Sequence, residues 1–388
     1  MRGFDHNETT ESTLNNSDPA TRSFGRRAIL RYTAAAGAVG VSASAFAQTG
    51  ALAAPRPPAV VSGDADPAAQ LQQLYRDALD EGGGLVVWAG GSSPTQEDRT
   101  RQAFTTAFPG IDTSITVRYS TEHSALIDRQ LALGGLEPDI VQLQTLYDFD
   151  HWKAKNALLS YRPPGAQAVF KQYRDPDDTY IGISVQSFGR VVNTALLSEA
   201  EMPRDAVDFL KPAFRDKIVI PDPTADDAVL FAIYLVTQKY GLQFMERFME
   251  QRPLIVANSP ATTAALASGQ RTASLANVSS LAPPPGQSVR YIAPRTDQFM
   301  SWPRTAAIFR AARHPAAAKL YLAWQLTLER QSAVLQWPSR RDVTVPAGHI
   351  TDYNSPINGF REFLRDRAAV ERYRALIRTF IHPSSGTN

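Results

Sequence analysis

Residues 84–110 read GLVVWAGGSSPTQEDRTRQAFTTAFPG, and the character of the chain changes twice within them. Leu85 to Ala89 is a short, continuous apolar run, which suits a strand buried on both faces. Glycine and serine follow. Ser93, Pro94 and Gln96 then have the spacing of a capped helix start with proline at the first helical position. The helix is expected to reach about Phe108, where Pro109 and Gly110 break it. A buried strand turning through glycine into a helix is the building unit of an α/β sheet.

The same alternation extends in both directions. Upstream, Asp66 and Pro67 open a helix with apolar Leu71, Leu74, Ala78 and Leu79, stopped by Gly82–Gly84. Downstream, 114–120 (SITVRYS) reads as a strand, with Thr121 as cap of the next helix. A third strand at 138–144 (PDIVQLQ) leads into the helix LYDFDHWKAKNALL. This is a doubly wound unit with parallel strands, whose ligands bind beyond the carboxyl ends of the strands. Those ends are GGSS, STEHS and QLQTL.

A second unit follows. Residues 181–197 form one long extended segment, read as a crossing between lobes. DKIVIPDPT and PLIVANSP each give a strand that turns into a helix, near Thr224 and at Asn258 or Ser259. TASLANVSS is another strand, 288–295 a returning connection, and the last third is mainly helical.

Composition limits the function. At 388 residues the chain exceeds one ordinary core and calls for two lobes. A net charge of +2 excludes the basic footprint of a nucleic-acid binder. Cysteine is absent, which excludes disulfides, thiolate metal sites, a cysteine nucleophile and a lipid-anchor cysteine. His151, His314 and His349 show no metal spacing. Arg26 and Arg27 precede a small-residue apolar run ending in Ala45-Phe46-Ala47, which resembles a twin-arginine export signal. A membrane anchor is the competing reading, although the run is short and rich in alanine and glycine. The expected layout is a signal at 1–47, a flexible leader at 48–64, lobe 1 at 65–187, lobe 2 at 188–293, and a return to lobe 1 with C-terminal helices at 294–388.

The ordered pieces LVVWAGGS, EPDIVQLQ, SFGRVVNTALL, DFLKPAFRDKIVIPDPT, ANSPATTAALASGQ, RHPAAAKLYLAWQLTLERQ and PSRRDVTVP resemble the extracellular solute-binding proteins of ABC importers. They are most similar to the ferric-iron-type cluster of periplasmic binding proteins type 2. The resemblance implies two α/β lobes, each a doubly wound sheet flanked by helices, and a ligand cleft between them. It also implies a periplasmic location, a membrane permease as partner, a monomeric state and no cofactor or catalysis.

In ferric-binding relatives the strand matching ASLANVSS ends in two tyrosines whose phenolates bind the metal. Here those positions are Ser279 and Ser280, and the other two metal positions map to Ser92 and Gln144. Neutral hydroxyls and amides do not replace phenolates, so iron is not expected. Helix starts near Ser93, Thr121, Thr224 and Ser259, with Arg190 as a bidentate donor, suit a small organic anion such as a phosphonate, phosphate ester or carboxylate. Trp88 and Phe188 are placed against its planar or apolar part, and Asn277 completes the expected ligand-binding set.

Other readings stay open. Ser93 and Thr121 serve equally as plain caps, Trp88 as core, Arg190 as an interlobe salt bridge, and the two serines as a strand end. Trp302 fits either the cleft mouth or the returning connection. Ferric iron or an iron chelate is an alternative ligand, and a sensor docking on a membrane receptor an alternative role. A periplasmic enzyme is disfavoured, because no G-x-S-x-G, H-E-x-x-H, Walker A or G-x-G-x-x-G pattern occurs.

Overall fold

The computed structural model describes residues 66–356 and 358–382. The signal and leader readings lie outside the described residues. Lobe 1 begins with α1 (Pro67–Asp80), capped by the Asp66 carboxylate. There follow β1 (Gly84–Gly90), α2 (Asp98–Ala107), β2 (Asp112–Arg118), α3 (Ser120–Leu133), β3 (Ile140–Leu143), α4 (Leu146–Ala154) and β4 (Ile181–Ser187). Strands β1, β2 and β3 are parallel; β1 and β3 carry the continuous apolar runs of buried strands, while β2 (DTSITVR) lies at the edge of the sheet. Phe104 of α2 joins one face of the sheet, while Ile127 of α3 and Trp152 of α4 bury against the other.

The chain then crosses. β5 (Gly189–Asn193) starts one residue after β4 ends but belongs to the other sheet. Lobe 2 continues with β6 (Val219–Pro221), α5 (Asp227–Tyr240), α6 (Gln243–Glu250), β7 (Leu254–Val256), α7 (Ser259–Ala267), β8 (Ala273–Asn277) and β9 (Val289–Ile292). The return enters β10 (Ser301–Ile308), α8 (Pro315–Gln325) and α9 (Leu328–Ser332) of lobe 1, and the chain ends in α10 (Gly359–Arg365) and α11 (Arg367–Ile381).

The two sheets share one plan. Lobe 1 has the order β2-β1-β3-β10-β4, with β10 antiparallel to both neighbours. In lobe 2, β6 pairs with β7 in parallel, a parallel bridge from Ile218 to Ala273 joins them to β8, and β5 runs antiparallel between β8 and β9. The antiparallel strand of each sheet is therefore the one that has just arrived from the other lobe.

β10 escaped the sequence reading because Pro303 argues against a central strand. Pro303 stands opposite Val185, but the Val185 N–H and carbonyl both bond Trp337, at 2.8 and 3.0 Å. No ladder bond is lost. The segment read as the returning connection is β9, a strand of lobe 2; the crossing itself comes after it. The C-terminal assignment also needs correction. α8 returns to lobe 1, but Val370, Ile377 and Ile381 of α11 bury in the core of lobe 2 with Phe244 and Phe248. An amphipathic stripe on α11 marks it as packing on something without saying on which lobe.

The crossing is pinned at Ser187, which is fully buried. Its hydroxyl accepts from Trp337 Nε1 at 2.7 Å and pairs with the Tyr291 hydroxyl at 2.7 Å, while its N–H donates to Gln336 Oε1 at 3.0 Å. Tyr291 comes from lobe 2; Gln336 and Trp337 come from lobe 1. At Gly189 an added Cβ would lie 2.4 Å from the Tyr291 ring, so only glycine lets the strand pass. Ser187→Ala leaves a buried indole N–H unpaired. Its expected cost is about 1–3 kcal/mol, read as a lower denaturant midpoint at unchanged slope.

Candidate functional site

The carboxyl ends of β1, β2 and β3 face those of β6, β7 and β8 across a cleft of about 1020 Å³. Lobe 1 supplies Ser92, Ser120, Thr121 and Gln144, with Gln186 from β4. Lobe 2 supplies Thr224, Asp226, Ser259, Thr263, Ser279 and Ser280. Phe188 and Trp302 form the base at the crossing, their rings edge-to-face at 5.1 Å. Phe360, Leu364, Arg367, Glu371 and Arg374 of α10 and α11 add a wall that sequence reasoning missed. Its legible signal was the Arg367, Glu371, Arg374 spacing, which puts three charges on one helical face.

Apart from Glu122, the lobe 1 wall is a network of neutral groups. Ser120 Oγ donates to Gln144 Oε1 at 3.1 Å and accepts from the Gln144 N–H at 3.2 Å. Gln144 Nε2 donates to Gln186 Oε1 at 3.4 Å, and Gln96 Oε1 accepts from the Ser92 N–H at 3.2 Å. Gly90 allows this approach: a Cβ there would lie 2.2 Å from Ser120 Oγ. No side chain caps the start of α3, so its first amides are left for water or a ligand.

The expected site residues divide. Ser92, Thr121, Gln144, Phe188, Thr224, Ser279 and Ser280 all line the cleft. Ser92, Gln144, Ser279 and Ser280, the four positions expected from the resemblance to correspond to metal ligands, are thus on its wall. Among the described residues no group of three or more histidines or carboxylates stands where it could hold a metal ion.

Four residues stand elsewhere. Trp88 is buried inside lobe 1, its ring stacked on His123 at 4.9 Å, because helices cover both faces of β1. Arg190 is inside lobe 2, donating to Asp297 Oδ2 and the Leu275 carbonyl, each at 2.8 Å. Both partners belong to lobe 2, so it is neither a ligand donor nor an interlobe bridge. Asn277 lies behind the wall, donating to Thr263 Oγ1 at 3.2 Å. Ser93 bonds Thr95 at 3.2 Å on a turn outside the cleft.

The expected caps shift for related reasons. α2 starts at Asp98, because the Glu97 side chain turns inward to the buried Arg304 guanidinium at 2.5 Å. Tyr119, not Thr121, precedes α3. Asp226 caps α5, while the Thr224 hydroxyl donates to Asp222 at 2.7 Å.

Charge in the cleft is committed to local tasks. Asp226 caps α5, and Glu122 and Asp227 sit in the first turns of α3 and α5, where carboxylates offset the helix dipoles. Arg367 and Arg374 are both paired with Asp227 and Glu371. Behind the wall, Asp148 accepts from the hydroxyls of Thr145 and Ser124. Burial lifts its carboxyl from 3.8 to about 6, against the pull of those two hydroxyls.

Residues 138–289 match the sequence profile of the family described as bacterial extracellular solute-binding protein. No curated protein matches the chain by sequence. Among solved structures, iron-bound HitA from Pseudomonas aeruginosa is similar at 16% identity and TM-score 0.58, over 76% of this chain and 99% of that one. AfuA from Actinobacillus pleuropneumoniae, solved with fructose-6-phosphate, is similar at 18% and 0.59, over 78% and 99%. The substrate-binding protein of an ABC transporter from Agrobacterium tumefaciens is similar at 13% and 0.60, over 76% and 94%. The two-lobed periplasmic binding protein fold and the resemblance to extracellular solute-binding proteins are borne out.

Asp148 gives a test of the wall. Its folded pKa is raised, so the unfolded chain loses this proton first as pH rises. Stability from this group is full below about pH 4 and falls until about pH 6. Asp148→Asn removes that decline. The variant is expected to match the wild type at pH 4 and exceed it by about 2–3 kcal/mol at pH 7, measured by urea unfolding across that range.

Proposed function

We propose that this chain is the periplasmic solute receptor of an ABC importer, and that its cleft takes a small uncharged organic solute with hydroxyl, carbonyl or amide groups and one apolar face. One observation carries the charge assignment: among the described residues, both guanidiniums that line the cleft are bound by carboxylates. The polar groups left over are amides, hydroxyls and the open first turn of α3. They suit uncharged donors and acceptors. Phe188, Trp302, Phe360 and Leu364 offer the apolar side.

The anion expected from the sequence rested on helix starts with Arg190 as an added donor, and Arg190 is spent inside lobe 2. A phosphate ester is the second reading, favoured by the uncapped start of α3, where free amides and a partial positive charge meet. Ferric iron has less support. The matching positions are neutral, and no described carboxylate or histidine cluster replaces them. A receptor is favoured over a catalyst by the family match, and over a membrane sensor by the importer protein among its structural neighbours. Export through the twin-arginine signal read at 1–47 delivers such a receptor, as a monomer, to its permease. Among the described residues no helix is long and apolar enough to cross a membrane.

A melting screen of the purified mature protein tests the reading, using neutral polyols and amides, sugar phosphates, carboxylates and ferric citrate. A neutral binder at 100 times its Kd should stabilise by about 2.7 kcal/mol, raising the melting temperature measurably. A shift from ferric iron alone with a visible charge-transfer band, or from anions alone, would refute it.

A further inference from the structure

α11 carries a concentration of charge into a cleft whose opposite wall is built mainly of amides and hydroxyls. Arg367 Nη1 donates to Asp227 Oδ2 at 2.7 Å, and its Nη2 to Glu371 Oε1 at 3.0 Å. Arg374 Nε donates to Glu371 Oε2 at 3.1 Å, and its Nη2 to Asp227 Oδ1. Each carboxylate thus takes both guanidiniums, one on each oxygen. The four side chains close a ring of zero net charge, and all four residues line the cleft.

The ring stands where positive potential is otherwise concentrated. Arg367 is the first residue of α11, at the positive end of that helix, where a cation is disfavoured. Arg374 is only 12% exposed, so water screens it little. Without the carboxylates, two guanidinium forks would converge on the cleft, the arrangement that recognises phosphate and carboxylate.

We propose that Asp227 and Glu371 act as a charge lock that sets the selectivity of the cleft, neutralising Arg367 and Arg374 so that anions are turned away and uncharged solutes admitted. The proposal rests on the uncharged-solute reading above, but its test does not need that solute. Glu371 is the member to change. Its side chain is 54% exposed on a helix surface, so glutamine there leaves the core intact.

Inorganic phosphate is the probe, titrated by calorimetry at low ionic strength into the full mature protein. Glu371→Gln is expected to bind phosphate about tenfold or more tighter than the wild type, because one charge-assisted fork is released. Adding Arg367→Gln to that variant is expected to return the affinity to the wild-type value. The lock is overturned if the wild type binds phosphate as tightly as Glu371→Gln, or if the gain survives the loss of Arg367. A melting screen without any neutral binder counts against the uncharged-solute reading alone; the phosphate titrations still decide the lock.

Discussion

Ser187 and the two antiparallel strands beside it hold the molecule to its plan. Each lobe lacks one strand until the other lobe sends it back. β5 completes the second sheet immediately after β4 leaves the first, and β10 completes the first after the chain returns. Because the exchange occurs at the edge of the cleft, the carboxyl ends of both parallel sets are brought face to face. The buried hydroxyl of Ser187 ties Tyr291 of one lobe to Trp337 of the other.

The cleft follows from that geometry. Helix starts gather at the carboxyl ends of parallel strands, and their partial positive charge would ordinarily draw an anion. Glu122, Asp226 and Asp227 answer much of it from within the protein. What remains is hydrogen bonding of moderate strength, chiefly the Ser120, Gln144 and Gln186 network, set against aromatic surface. Such a site discriminates by leaving its amides unpaired when the wrong solute enters, since an unmet buried donor or acceptor costs more than a met one stabilises.

Much of this was legible before any coordinates. Strand and helix alternation gave both lobes, because a continuous apolar run followed by glycine and a helix has few other solutions. The crossing at 181–197 was visible as an extended segment too long for one strand. Seven of the eleven expected site residues line the cleft, since the ends of parallel strands can be located from the pattern alone. The misses have physical causes. Arg190 lies two residues from Phe188 and Trp88 three from Gly91, and sequence does not say where along a doubly covered strand the buried side chains give way to those that reach the cleft. Ser93 looked like a cap until Arg304, more than two hundred residues away, drew Glu97 inward. The wall from α10 and α11 depended on which lobe the tail packs against, a tertiary choice that local spacing does not encode.

That tail has a consequence for the order in which the protein can be completed. Lobe 1 needs β10 and α8, and lobe 2 needs Val370, Ile377 and Ile381. A chain of which α11 has not yet been made can therefore close lobe 1 while lobe 2 stays unfinished. Lobe 2, although most of its strands come earlier in the chain than β10, is thus the half whose core closes last.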